Sequence, residues 1–395
     1  MTDKKDRTIR RRPGNGLMIV LLIIAVFFSL VGRAIFSPLM PYLQEDLAIS
    51  LATVGTLFLL VSVSFSLVMI CSGFLTAWIG HGHTVVAALV LIMIGLIISA
   101  SAGDAVVLAI GMICIGAGGG TYAPSGIAMI NNRISAEKRS TAFALHELGS
   151  NGAVLLAPLI VLAGFPLLGW RGVLLLIAFL TGVASIAFYF FGTLESGVGA
   201  KPNLSIIGTI LRLPHAYVGM IMFSTSLAGL HGVYAILPAY LVEHSTWSAE
   251  HVNLLVTVSR LISISMLLLA GPIIKTIGKR NTMIVVMLFT GVLTGLISVA
   301  QGRHLEIVVI LQPALIAITF PAQLSCLAEI GEAWYQNVTA ALVITVGMTV
   351  GAGVVPALIG VMGDLGIGWL GFVCLSGFMM TAVVTLILTP AFGKR

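Results

Sequence analysis

Four ionisable side chains sit where water is scarce. Arg33, His231, Arg260 and Glu147 each interrupt a run of residues otherwise apolar enough to lie in hydrocarbon. A charge at the centre of a membrane-spanning helix costs roughly 2.5–3.5 kcal/mol on insertion scales, so each needs a partner or a task. A guanidinium is a fixed fork of donors that fits a carboxylate or another oxyanion. A buried carboxylate or imidazole can carry a proton. The chemistry these residue types point to is recognition of an anion, coupled to proton movement or to exchange.

Their neighbours carry the same signal. Asn253, Thr257, Arg260 and Ser263 fall within roughly 120° of one another at helical spacing. Ser29, Arg33 and Ser37 follow at i, i+4 intervals, and Tyr234 lies one turn from His231. At 1.5 Å per residue, Arg33 is roughly 12 Å and Arg260 roughly 15 Å from the outer ends of their spans. Glu147, beside His146 and followed by Ser150 and Asn151, is roughly 10 Å from the cytoplasmic side. Two arginines against one carboxylate leave a net positive interior, which an anionic solute would complete. Each residue also has a structural alternative. Arg33 could pair with Glu147 and lock helices, Arg260 could pair or snorkel, His231 could be a packing residue, and Glu147 could belong to a gate. Tyr122, Gln312 and Gln323 are weaker candidates for a cavity wall.

The elements that position these groups are membrane helices. Of the 395 residues, 58% are hydrophobic and 9% charged, with mean hydropathy +1.12. A soluble domain carries about a quarter charged residues. Apolar runs long enough to span a bilayer recur at 17–42, 51–78, 84–102, 105–130, 141–163, 172–192, 216–241, 251–274, 282–300, 306–328, 337–361 and 369–390. The basic start, MTDKKDRTIRRRPGNG, resembles a signal peptide. The run after it is too long and lacks a small-residue cleavage site, so it reads as the first span. Of the 20 lysines and arginines, Arg33 and Arg260 are intramembrane and Arg171 and Arg303 fall on outer loops. The other 16 share the side of the N-terminus, which that bias places in the cytoplasm. The net charge of +6 is therefore a topology signal, not a nucleic-acid footprint. Cys71, Cys114, Cys326 and Cys374 lie in apolar runs without metal-ligand spacing and read as packing residues. No cofactor and no metal is expected.

The halves repeat at an offset of 198: Tyr42 falls on Tyr240, Glu45 on Glu243, Gly73 on Gly271, Gly80 on Gly278, Gly149 on Gly347 and Pro158 on Pro356. The expected organisation is a basic N-terminus (1–16), a six-helix bundle (17–192), a cytoplasmic linker (193–215), a second bundle (216–391) and a cytoplasmic C-terminus (392–395). The expected fold is an all-α membrane protein of 12 transmembrane helices in two pseudo-symmetric six-helix bundles.

The chain resembles the major facilitator superfamily over essentially its full length. The family's loop signature is G-x-x-x-D-R/K-x-G-R/K-R/K. The second copy reads Gly271-Pro-Ile-Ile-Lys275-Thr-Ile-Gly278-Lys279-Arg280, with Lys275 replacing the acid. The first reads Gly73-Phe-Leu-Thr-Ala77-Trp-Ile-Gly80-His81-Gly82 and keeps only the glycines. The resemblance implies alternating access around a central cavity, with these loops at the cytoplasmic gate. Drug-exporter signals are broken: Met112 stands where an Arg would precede the Gly116–Gly120 stretch, and Ala157 precedes Pro158. Those glycines read as helix-packing positions. Monocarboxylate transporters are similar in a basic residue in the first helix and an Arg in the eighth, but their acid one turn earlier is Val256 here. Oxalate–formate exchangers are similar in the eighth-helix Arg but add an eleventh-helix Lys that is missing here. The resemblance implies a monomeric secondary transporter of a small anion, an organic carboxylate above all, by symport or antiport. The substrate site would comprise Arg33, Arg260, His231, Tyr234, Asn253 and Thr257, with Glu147 and His146 for proton coupling or gating. Export of hydrophobic or cationic compounds is the alternative. An enzyme is disfavoured, since no loop exceeds about 25 residues and neither a P-loop nor H-E-x-x-H occurs.

Overall fold

The computed structural model describes residues 14–192, 194, 205–327, 330 and 336–389, and among these it is helical with no strand. The basic N-terminal segment, most of the expected linker and the last residues lie outside the described residues. In order, the helices are α1 (Asn15–Ala34), α2 (Phe36–Leu47), α3 (Leu51–Ala100), α4 (Ala105–Arg133), α5 (Ala136–Phe191), α6 (Ser205–Ile210), α7 (Pro214–Leu227), α8 (Val233–His244), α9 (Ala249–Ile277), α10 (Lys279–Leu296), α11 (Gly302–Ile316), α12 (Thr319–Leu327), α13 (Gln336–Thr349), α14 (Val355–Asp364) and α15 (Gly368–Leu388). Two π-helical stretches intervene: Ala228–Gly232 joins α7 to α8, and Val350–Val354 joins α13 to α14. Nine stretches among the described residues are long and apolar enough to cross a membrane.

Helix starts follow local chemistry. Ser50, Asp104 and Ser248 each accept amide hydrogen bonds from the first turn that follows them. The breaks expected near residues 80 and 169 are single-residue bends, not loops. Gly80 (φ 78, ψ 163) and Gly169 (φ 64, ψ 177) kink the chain inside otherwise continuous α3 and α5. A left-handed backbone there is open to glycine at no steric cost. Gly278, the repeat counterpart of Gly80, has the same geometry (φ 82, ψ 156) between α9 and α10. At this pair the sequence repeat is also a repeat of backbone conformation.

Glycines also set how closely helices approach. A methyl group at Gly116 or Gly120 would overlap the carbonyls of Val61 or Phe65, so α4 lies directly on α3. Between the halves, Gly55 of α3 meets the Pro356 carbonyl, and Gly360 of α14 meets the Leu51 carbonyl. One end of the molecule, called the acidic end below, is closed by contacts between the halves. Tyr42 donates to Glu250 (3.2 Å), Gln44 donates to Glu243 (3.4 Å), and the Ala52 amide donates to Asp364 (3.2 Å). The last of these caps the N-terminus of α3 with a carboxylate from the other half. At the same end Asp46 accepts from Arg171 (2.7 Å) and Trp170 (3.1 Å), tying α2 to the bend at Gly169.

Candidate functional site

The first and seventh spans meet through carbonyls that prolines leave free. Pro38 has no N–H to offer the Ala34 carbonyl, four residues earlier. The Tyr234 hydroxyl donates to it instead, at 3.2 Å. Pro238 likewise frees the Tyr234 carbonyl, and Ser37 Oγ donates to that oxygen at 2.5 Å. The two halves therefore satisfy each other's orphaned backbone reciprocally. Asn253 extends the seam, donating from Nδ2 to the Pro38 carbonyl (3.2 Å).

Behind this seam lies a cavity of about 30 Å³ bordered by Arg33, His231, Tyr234, Phe58, Ser62 and Val154. That is room for roughly two water molecules. Arg33 occupies the last turn of α1, where a positive charge suits the helix dipole. Its guanidinium lies 5.4 Å from the Phe65 ring centre, and its buried Nη1 has no hydrogen-bond partner among the described residues. Arg260 is on the other side of Tyr234, in a smaller cavity of about 10 Å³ lined with Val256, Ser259 and Pro313. It is 5% exposed. Its guanidinium covers the Tyr234 ring at 4.4 Å, Nη2 donates to the Leu230 carbonyl at 3.0 Å, and Nε has no partner among the described residues. His231 lies within electrostatic reach of both arginines.

The structure thus gathers Arg33, His231, Tyr234 and Arg260, with Tyr234 between the two guanidinium groups. It does not bring Asn253 and Thr257 into the same cavity wall. Asn253 gives Nδ2 to the seam, with its Oδ1 unpartnered among the described residues, and Thr257 donates to the Asn253 carbonyl of its own helix (2.8 Å). Sequence reasoning missed Phe65 and Phe58, since an aromatic on an apolar helix gives no signal of which neighbour it will meet.

Glu147 is not the partner of Arg33. Its side chain is 63% exposed, and its nearest charged-capable neighbour is His146 Nδ1 at 3.7 Å. His146 is buried, and its Nε2 lies 2.8 Å from the Tyr122 hydroxyl. That hydroxyl gives its single proton to the Leu22 carbonyl (3.0 Å), so Nε2 must be the donor to Tyr122. When the imidazole is neutral, its lone pair is therefore on Nδ1, facing Glu147. Asn151 donates to the Glu147 carbonyl (2.9 Å), its own helix.

In the loop motifs, Arg280 caps the end of α15, donating to the Leu386 and Ile387 carbonyls (2.9 Å each). His81, in the charge-poor first copy, is buried and within 3.4 Å of Ser125 Oγ on α4. Gly73 and Gly271 lie in the helical backbone of α3 and α9, ahead of the bends at Gly80 and Gly278, and Lys279 is the first residue of α10.

The sequence pattern of the Major Facilitator Superfamily matches residues 22–332. The chain belongs to that superfamily. The fold agrees: a crystal structure of nucleoside transporter NupG superposes with a TM-score of 0.77, covering 94% of this chain and 99% of that one at 11% identity. The superfamily and the helices together make this an integral, multi-pass membrane protein. Two curated relatives are similar in sequence. The probable nitrate transporter NarT of Staphylococcus carnosus (strain TM300) is 21% identical over 233 residues, 58% of this chain and 59% of that protein. The uridine/deoxyuridine transporter of Lactococcus lactis subsp. cremoris (strain MG1363) is 29% identical over 200 residues, 49% and 40% respectively. The chain spans about half the length of the curated relatives it matches.

Proposed function

We propose that this protein is a secondary transporter that moves a small anionic solute by alternating access. The observation that carries the reading is that Arg33 and Arg260, both deep in membrane helices, have no carboxylate within ion-pair distance among the described residues. Buried guanidinium groups with unused donors are stable when an anion completes them. Similarity to a probable nitrate transporter supports an anion. The cationic cluster argues against a cationic substrate.

Twelve passes in two six-helix bundles accommodate the helices if α3 and α5 each cross twice about Gly80 and Gly169. In the orientation set by the positive-inside bias, the acidic end faces outward, so this conformation is closed to the outside. Similarity to a uridine/deoxyuridine transporter favours a second reading, a neutral nucleoside. Thermal stabilisation of the purified protein by nitrate, formate, lactate and uridine separates them. Stabilisation by an anion, lost in Arg33→Ala, supports the first reading, whereas stabilisation by uridine alone refutes it.

The proton-responsive group in this reading is His146, with Glu147 as its counter-charge. Protonation at Nδ1 would turn a 3.7 Å approach into an ion pair while Nε2 stays bound to Tyr122. That is a state-dependent charge of the kind a symporter needs.

A further inference from the structure

The π-helical stretch Ala228–Gly232 lies where the cavity, Arg260 and the inter-half seam converge. In it the Val233 amide reaches back five residues to the Ala228 carbonyl. Widening one turn puts the backbone out of step, and carbonyls at the junction with the following α-helix need other donors. Two side chains supply them. Gln312 Nε2 donates to the Gly229 carbonyl (3.1 Å), and Arg260 Nη2 donates to the Leu230 carbonyl (3.0 Å). The bulge also packs backbone to backbone against the second π-helical stretch, Val350–Val354, since a methyl at Gly232 would overlap the Gly351 carbonyl.

Arg260 therefore holds two parts of one span. Its Nη2 closes the bulge at Leu230, and its planar face covers the ring of Tyr234. Tyr234 adds to the contacts that hold the halves together below the acidic end, through its hydroxyl to Ala34 and its carbonyl to Ser37. Its ring stands between Arg260 and the cavity that holds Arg33 and His231. An anion bound between the two arginines cannot be met by both while Arg260 is held on Leu230 by Nη2 and screened by the ring.

We propose that Arg260 is a switch residue: it exchanges the Leu230 carbonyl for the bound anion, and that exchange loosens the bulge and frees Tyr234 from its seal on Ala34. Occupancy of the site is thereby linked to opening of the acidic end through a single side chain. A guanidinium can do this because it has donors on several edges and a stacking face. A lysine has neither the fork nor the plane. The proposal rests on the anion reading above. It adds that Arg260 acts on the backbone of its own half as well as on the ligand.

Hydrogen–deuterium exchange of the full chain in nanodiscs, read by mass spectrometry over peptides covering residues 228–234, tests it. Sodium nitrate is the probe, and its binding is measured separately by calorimetry. Arg260→Ala should raise exchange in that stretch about tenfold without any anion, from loss of one charge-assisted hydrogen bond. Arg260→Lys should also raise it. Nitrate should raise exchange in the wild type and have no further effect in either variant. Nitrate binding without change in this stretch, or Arg260→Ala leaving it protected, would overturn the switch while sparing the anion reading. Failure of nitrate, formate and lactate alike to bind the wild type would overturn both.

Discussion

Replacing Tyr234 by Phe removes one hydroxyl and leaves the ring beneath Arg260. The Ala34 carbonyl then loses its Tyr234 donor, and Pro38 has no amide to supply in its place. A buried acceptor stripped of its partner costs about 1–3 kcal/mol, and that cost falls on the state closed at the acidic end, where the carbonyl is buried. In the opposite state the seam is parted and water reaches it. Even the lower bound shifts the equilibrium between the two states about fivefold, since 1.4 kcal/mol is about tenfold. The assay is double electron–electron resonance between spin labels on cysteines placed at Gly103 and Thr246, exposed loop positions in opposite halves. Cys71, Cys114, Cys326 and Cys374 are replaced first. The wild type should give mainly the short distance, and Tyr234→Phe should populate a longer one. Pro38→Ala offers a sharper check, because it restores the amide that Ala34 lacks. In that background Tyr234→Phe should have little further effect. An equal effect of Tyr234→Phe with and without Pro38 would refute the reasoning from proline-freed carbonyls.

Three further outcomes are expected. Gly80→Ala places a Cβ in a left-handed conformation and should destabilise the protein by about 1–2 kcal/mol, read as a lower melting temperature in detergent; unchanged melting would mean that the bend relaxes freely. Arg280→Ala leaves two carbonyls at the end of α15 uncapped and should lower stability by about 1 kcal/mol, with faster hydrogen exchange confined to the last turn. In liposomes carrying a pH-sensitive dye, solute-driven acidification should disappear in His146→Gln and weaken in Glu147→Gln. Acidification that survives His146→Gln at wild-type rates removes His146 from the coupling role, and transport without acidification that requires internal anion indicates exchange.

Much of the site was legible because the bilayer makes charge conspicuous. Arg33, His231 and Arg260 stood out against apolar runs, and helical rise alone put them at similar depth. What periodicity cannot give is the partner. Asn253 and Thr257 share the face of Arg260, as the 3.6-residue spacing requires, yet one is bonded to Pro38 across the seam and the other to its own helix. The possible Arg33–Glu147 pair was left open by sequence, since two residues on different helices have no fixed relation until the helices pack. Packing gives Glu147 to His146 instead. The fold was legible in its helices and its repeat, but not in the manner of its turns. Gly80 and Gly169 each break the helix at a single residue, where a loop of several residues was expected. The bulges at Ala228–Gly232 and Val350–Val354 have no hydropathy signature, because widening a turn by one residue leaves an apolar stretch apolar.

The central claim is that two buried guanidinium groups bind the transported anion. Counterflow in proteoliposomes tests it directly, with labelled nitrate, formate and lactate outside and an excess of the same unlabelled anion inside. The wild type should accumulate at least one of them. Arg33→Ala and Arg260→Ala should each weaken apparent affinity about ten- to a hundredfold, from the loss of about 1.5–3 kcal/mol of charge-assisted bonding. Arg260→Lys should also be impaired. Wild-type counterflow of the transported solute in both alanine variants would show that the arginines only hold helices together, and would contradict the account.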